Sequence, residues 1–152
     1  MNNIRNCAKA IIIRNGSILA IKYDDAEREY FALPGGAQHH GETLNETLMR
    51  ECHEELGVTV IDHGMRFIRE CIFRVTDPTQ TEVELHQIEF IFECSIEGNA
   101  EPGKGTHHDY GQVDIVWLPL GRLQTDIFYP KKLIEYLDGP LPDVTEYWGL
   151  VD

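Results

Sequence analysis

Thr43 and Gly57 mark the two ends of a helix in a chain that otherwise reads as strand. Thr43 and Glu46 form a Ser/Thr-x-x-Glu capping box, in which each side chain satisfies the other residue's backbone N–H. Gly57 stands where a left-handed residue ends a helix. Between them Leu44, Leu48, Met49, Cys52 and Leu56 recur at helical spacing and fill one arc of about 140°. A stripe this wide has to lie against a sheet or another helix.

The remaining segments supply the sheet. Ala8 to Ile13 is small and β-branched, Ser17 to Tyr23 alternates apolar with polar, and Asn15-Gly16 between them suits a type I′ hairpin turn. Tyr30 to Leu33 reads as a short aromatic strand stopped by Pro34-Gly35-Gly36. Val58 to Val75 reads as a strand or bent strand pair, and Thr81 to Ile96 as a long strand with an irregularity near His86. Glu97 to Gly111 is a Gly/His-rich loop, Val113 to Leu118 another strand, and Pro130 to Leu137 a short second helix opened by proline. A mixed sheet flanked by two helices, of α/β class, is the economical arrangement. No repeat or linker divides the chain, so residues 1–152 read as one domain.

A chain of 152 residues buries roughly 70% of its unfolded surface and needs no disulfide or structural metal to fold. Cys7, Cys52, Cys71 and Cys94 are scattered without a Cys-x-x-Cys pair and read as reduced, buried small hydrophobes. With no apolar signal core or membrane-length run, the expectation is a cytoplasmic protein without membrane contact. Thirteen Lys and Arg against 26 Asp and Glu give a formal charge of −13. Such a balance disfavours duplex nucleic acid, which needs a basic face. A small phosphorylated ligand remains compatible if cations bridge the two negative partners.

Glu51, Glu54 and Glu55 bear on that condition. They occupy an arc beside the apolar stripe, with Glu51 three and four residues from the other two. Like charges so placed oppose helix formation, and partial burial raises the cost. Carboxylates crowded this way either line a solvated face or hold a hard cation such as Mg²⁺. The preceding loop, bracketed by Pro34-Gly35-Gly36 and Gly41, favours the second alternative. Its glycines let backbone approach a ligand closely, a carbonyl can join a metal shell, and amides near the helix start favour phosphate oxygens.

The same stretch resembles the signature box of the Nudix hydrolases, Gly-x5-Glu-x7-Arg-Glu-U-x-Glu-Glu-x-Gly-U, where U is a bulky apolar residue. Gly36, Glu42, Arg50, Glu51, Glu54, Glu55, Gly57 and Val58 match at the required spacing, and Cys52 is a small residue at the first U. The resemblance implies an α/β/α sandwich with a mixed sheet. It also implies Mg²⁺- or Mn²⁺-dependent hydrolysis of a nucleoside diphosphate linked to a moiety X. Glu51, Glu54 and Glu55, with the Gly36 carbonyl, would hold the metal. Glu51 is the first choice to deprotonate or orient water; Arg50 would pair with a neighbouring box glutamate, and Glu42 would support the loop. Catalysis is thus assigned to Glu51, Arg50 and Glu54.

Outside the box, Asp109 is the best substitute for the late-loop acid of many members, and Asp114 the second. His107 and His108 read as loop polarity or a soft-metal site. Tyr30, Phe31 and Gly35 are the substrate-binding candidates, with core packing the competing role for the two aromatics. Phe90 and Phe92 read as core; Glu82 and His86 have no assigned role. Tyr147-Trp148 suits closure over a ligand, docking on the body or a dimer contact. The leading reading is a pyrophosphohydrolase for a non-standard nucleoside triphosphate or nucleotide sugar, and the resemblance is compatible with a homodimer. The alternatives are a dinucleoside polyphosphate or capped-RNA hydrolase, disfavoured for long RNA by the negative charge, and a non-catalytic nucleotide sensor.

Overall fold

The computed structural model describes residues 3–24, 27–103, 105 and 111–152. Nine strands are present among them: β1 (Ile4–Arg14), β2 (Ser17–Asp24), β3 (Glu29–Ala32), β4 (Gly35–Ala37), β5 (Val60–Thr76), β6 (Glu82–Ile96), β7 (Gln112–Pro119), β8 (Phe128–Tyr129) and β9 (Glu146–Leu150). One α-helix, α1 (Leu44–Leu56), joins them. The spatial order is β8-β3-β2-β1-β6-β5-β9, with β4 added on β1 and β7 on β2. β1 runs parallel to β6, β5 pairs antiparallel with β6, and the β1–β2 hairpin turns at Asn15-Gly16 with positive φ at both residues. The sheet is therefore mixed, as expected.

Alternation along the strands sorts side chains into two cores. Ala8, Ala10, Ile12, Leu19, Ile21, Phe92 and Cys94 pack under Leu48, Cys52 and Leu56 of α1. Ile11, Ile18, Phe31, Phe67, Ile91 and Leu118 pack on the opposite face with Phe128 and Leu133. The second cover differs from expectation: Lys131–Tyr136 forms 3₁₀ turns, so α1 is the sole α-helix among the described residues. Two further differences concern β5 and the C-terminal stretch. The irregularity expected near His86 lies in β5, where register shifts fall between Asp62 and Phe67, while His86 sits in regular pairing with Ile72. Gly64 at φ +123 accommodates that bend. Tyr147-Trp148 docks on the body as β9, parallel to β5, with Trp148 stacked on Phe67 at 4.3 Å between ring centroids. All four cysteines are free and buried. No helix of the described residues is long and apolar enough to cross a membrane.

Candidate active site

The loop and helix that carry the acids are fixed at both ends. Thr43 caps α1 through both arms of the capping box, which places its acidic arc reproducibly against β4. Gly57 closes the helix at φ 67, its N–H donating to the His53 carbonyl. Gly103 and Gly105 donate to the carbonyls of Leu56 and Glu55, satisfying two further helix-end acceptors. A side chain on Gly105 would overlap the Glu54 carbonyl, so glycine is required for this approach.

Arg50 stands at the centre. Its Nε and Nη2 donate to the two oxygens of Glu42 at 2.6 and 3.0 Å, a bidentate hold. Nη1 donates to both Glu51 Oε1 at 2.8 Å and Glu54 Oε2 at 3.2 Å, and Nη2 also to the Ala37 carbonyl at 2.9 Å. One guanidinium thus gathers three carboxylates and the loop. Glu42 also accepts from the His39 amide and the Thr47 hydroxyl. The Arg50 hydrogen bonds, followed by the His39 amide, hold the Glu42 carboxyl down at about 2.

The loop touches this cluster through its glycines. β4 lies against β1, with Gly36 opposite Ala8 on the face that meets α1. A Cβ at Gly36 would come within 2.5 Å of the Glu51 carboxyl carbon, so that carboxylate occupies the space a side chain would need. Gly35, at φ +133, donates its amide to the buried Glu55 Oε1 at 2.7 Å. Glu51 and Glu54 therefore meet at Arg50, whereas Glu55 sits apart, engaged with Gly35. The three carboxylates on Arg50 are turned to the guanidinium, and among the described residues no three His, Cys, Asp or Glu side chains are already grouped as metal ligands. A family model described as "NUDIX domain" matches residues 5–137.

The chain belongs to the Nudix family. As a Nudix hydrolase it is a pyrophosphohydrolase, of a family that uses divalent ions and acts on small nucleotides. Solved structures carry the same fold. A NUDIX hydrolase from Nitrosomonas europaea superposes with a TM-score of 0.66 at 16% identity, covering 99% of this chain and 80% of that one. A MutT protein from Methanosarcina mazei Go1 gives 0.66 at 20% identity, covering 90% and 94%. A protein described as an ADP-ribose pyrophosphatase from Streptococcus suis gives 0.60 at 15% identity, covering 96% and 98%. No curated protein matches the chain in sequence.

The other sequence candidates fall in varied surroundings. Phe31 is buried against Phe128 in the second core, so its ring is spent on packing. Tyr30 is partly exposed, stacked on Tyr23 with centroids 5.1 Å apart and edge-on to Tyr129, with Arg28 over its ring. Gly35 uses both backbone groups internally, since its carbonyl accepts from Lys9 Nζ at 3.3 Å. Asp114 faces outward on β7 and accepts from the Ile115 amide. Asp109, His107 and His108 lie outside the described residues. Glu82 pairs with Arg74 on the surface, and Glu70 joins His86 to the Tyr147 hydroxyl beside β9. Lys9, Gly103 and Gly105 escaped the sequence reading; Gly103-Lys104-Gly105 was the only available signal.

Proposed function

We propose that this protein hydrolyses the pyrophosphate bond of a nucleoside diphosphate linked to a further moiety, in a reaction dependent on Mg²⁺ or Mn²⁺. A non-standard nucleoside triphosphate or a nucleotide sugar is the substrate class. The observation that carries this reading is the gathering of Glu42, Glu51 and Glu54 on Arg50 beside Gly36, with Glu55 buried against the same loop. Three carboxylates on one guanidinium leave an excess of negative charge that a hard divalent ion relieves. Carboxylate and carbonyl oxygens suit Mg²⁺ and Mn²⁺, and the contact of Glu51 with Gly36 already joins loop to acids. The donor set fits the ion.

Glu51, Glu54, Glu55 and the Gly36 carbonyl would hold it, with Asp109 as a further ligand. When bound, the ion neutralises diphosphate oxygens and acidifies water. Glu51 accepts the proton of the attacking water. Arg50 holds Glu51 and Glu54 in fixed rotamers, and Glu42 holds Arg50. Of Tyr30, Phe31 and Gly35, Tyr30 alone offers a partly exposed side chain, and the nucleotide-facing role is assigned to it. Likeness to a protein described as an ADP-ribose pyrophosphatase supports the nucleotide-sugar class.

A panel of nucleotides with Mg²⁺, scored by release of phosphate or nucleoside monophosphate, tests the proposal. Wild-type protein is expected to turn over at least one member, and Glu51→Gln to fold normally while losing about 10²–10⁴ in rate. Tight nucleotide binding without turnover on any member would overturn the reading in favour of a sensor.

A further inference from the structure

On the sheet face opposite α1, a row of charge runs towards the loop. Glu89 of β6 stands between Cys7 of β1 and Arg69 of β5 in direct register. Glu89 and Arg69 are 4% and 6% exposed, and Arg69 Nε donates to Glu89 Oε2 at 2.6 Å. Gln87 donates to the other Glu89 oxygen at 3.4 Å, and Arg69 Nη1 donates to the Val151 carbonyl. Lys9 lies on the same face of β1, two residues along from Cys7 and so diagonal to Glu89. Burial pushes the Glu89 carboxyl up, but Lys9 and then Arg69 outweigh it and hold the group below its ordinary value. The Lys9 ammonium is therefore held in the field of a buried anion.

Lys9 Nζ also donates to the Gly35 carbonyl, across the β1–β4 pairing in which Lys9 and Gly35 are partners. Gly35 is thereby gripped twice. Glu55, from α1, accepts from its amide, and Lys9, from the opposite face, donates to its carbonyl. The next residue is Gly36, whose backbone lies on the Glu51 carboxylate. Gly35 sits at φ +133 and has no side chain to lock it, so these two contacts join the β1–β4 pairing in holding the peptide that leads into Gly36. A buried ion pair is costly to keep where an apolar pair would serve. Holding a lysine on a glycine carbonyl beside the acids gives that pair a role.

We infer that Lys9 is a positioning residue of the ion site, steered by the buried Glu89–Arg69 pair and acting through the Gly35 carbonyl on the Gly36 backbone and on Glu55. The inference rests on the metal-dependent reading above. Removing partners of metal-ligating groups typically costs about 10–100-fold in metal affinity.

The test is a Mn²⁺ titration of the full chain, read by loss of the electron paramagnetic resonance signal of free Mn²⁺. Wild type, Lys9→Met, Lys9→Arg, Glu89→Gln and the surface control Lys132→Met are compared, with circular dichroism to establish folding. The expected result is about 10–100-fold weaker Mn²⁺ binding in Lys9→Met. Glu89→Gln should also bind more weakly, while Lys9→Arg recovers most of the affinity and Lys132→Met matches wild type. Folded Lys9→Met with wild-type affinity overturns the inference while leaving the metal reading intact. If Lys9→Met does not fold, Glu89→Gln decides, and wild-type affinity there overturns it equally. Wild-type protein that binds no Mn²⁺ overturns the metal reading and this inference with it.

Discussion

Replacing Gly36 by alanine separates the site from the fold. Gly36 is absent from the residues at positive φ, so alanine adopts its backbone without strain, and the change in unfolding free energy should stay within about 1 kcal/mol. The new methyl group would nevertheless lie 2.5 Å from the Glu51 carboxyl carbon and 2.6 and 2.7 Å from its oxygens. Ordinary carbon contacts begin near 3.5 Å, so the carboxylate must retreat by about 1 Å. It is the flexible end of a side chain, so it yields rather than the backbone, and in yielding it leaves the Arg50 Nη1 contact of 2.8 Å. Displacement on that scale costs about 10²-fold in a reaction that depends on alignment. Thermal melts and kcat/KM on whichever nucleotide is turned over provide the assay. The expected outcome is a nearly unchanged Tm with a loss of about 10² in kcat/KM. Wild-type kcat/KM would refute the reasoning by making the position of Glu51 immaterial, and an unfolded variant would refute the claim that the side chain absorbs the clash.

Further outcomes follow from neighbouring residues. Gly35→Ala should behave oppositely to Gly36→Ala: φ +133 alone costs about 1–3 kcal/mol, and the methyl group would overlap the Ala8 carbonyl, so denaturant melts should show clear destabilisation. Gly105→Ala should lower both Tm and activity, because its side chain would strike the Glu54 carbonyl and undock the segment that closes α1; unchanged melting would contradict this. Glu42, held at about 2 by Arg50, contributes stability that is full above its ordinary value near 4.5 and is lost as pH falls through about 2. In Arg50→Gln its titration, followed by NMR, should move up towards the ordinary range, and an unmoved titration would remove Arg50 as the cause. Burial pushes the Cys71 and Cys94 thiols up to about 11 and about 12 and raises Cys7 and Cys52 as well. A thiol reagent at pH 8 should therefore label the native protein slowly and all four cysteines rapidly in denaturant.

The helix and its site were legible because their signals are local. Thr43, Glu46 and Gly57 act within one turn of the residues they cap, and the spacing of Glu51, Glu54 and Glu55 follows from helical periodicity alone. The hairpin at Asn15-Gly16 is equally short-range. What escaped depends on distant partners. The irregularity expected near His86 is absent there, and the bend of the pair lies in β5, where a bent strand pair is one of the two sequence readings. A bulge is set by which strand carries extra residues, and either strand of an antiparallel pair satisfies the same alternation. Pro130 to Leu137 has apolar spacing fit for an α-helix yet forms 3₁₀ turns, as its Leu133 anchors into a core built from seven strands. β4 and β8 comprise three and two residues, too few for any periodicity. The approach of Lys9 to Gly35 joins residues 26 positions apart, across a register that no sequence pattern specifies.

The most direct measurement is anomalous diffraction at the manganese edge from crystals of the full chain soaked in Mn²⁺. The account predicts a peak bounded by carboxylate oxygens from Glu51, Glu54 and Glu55 and by the Gly36 carbonyl, with Arg50 still holding Glu42. Manganese bound elsewhere, with those three glutamates turned away from any ion while the soaked protein still hydrolyses nucleotide, would contradict it.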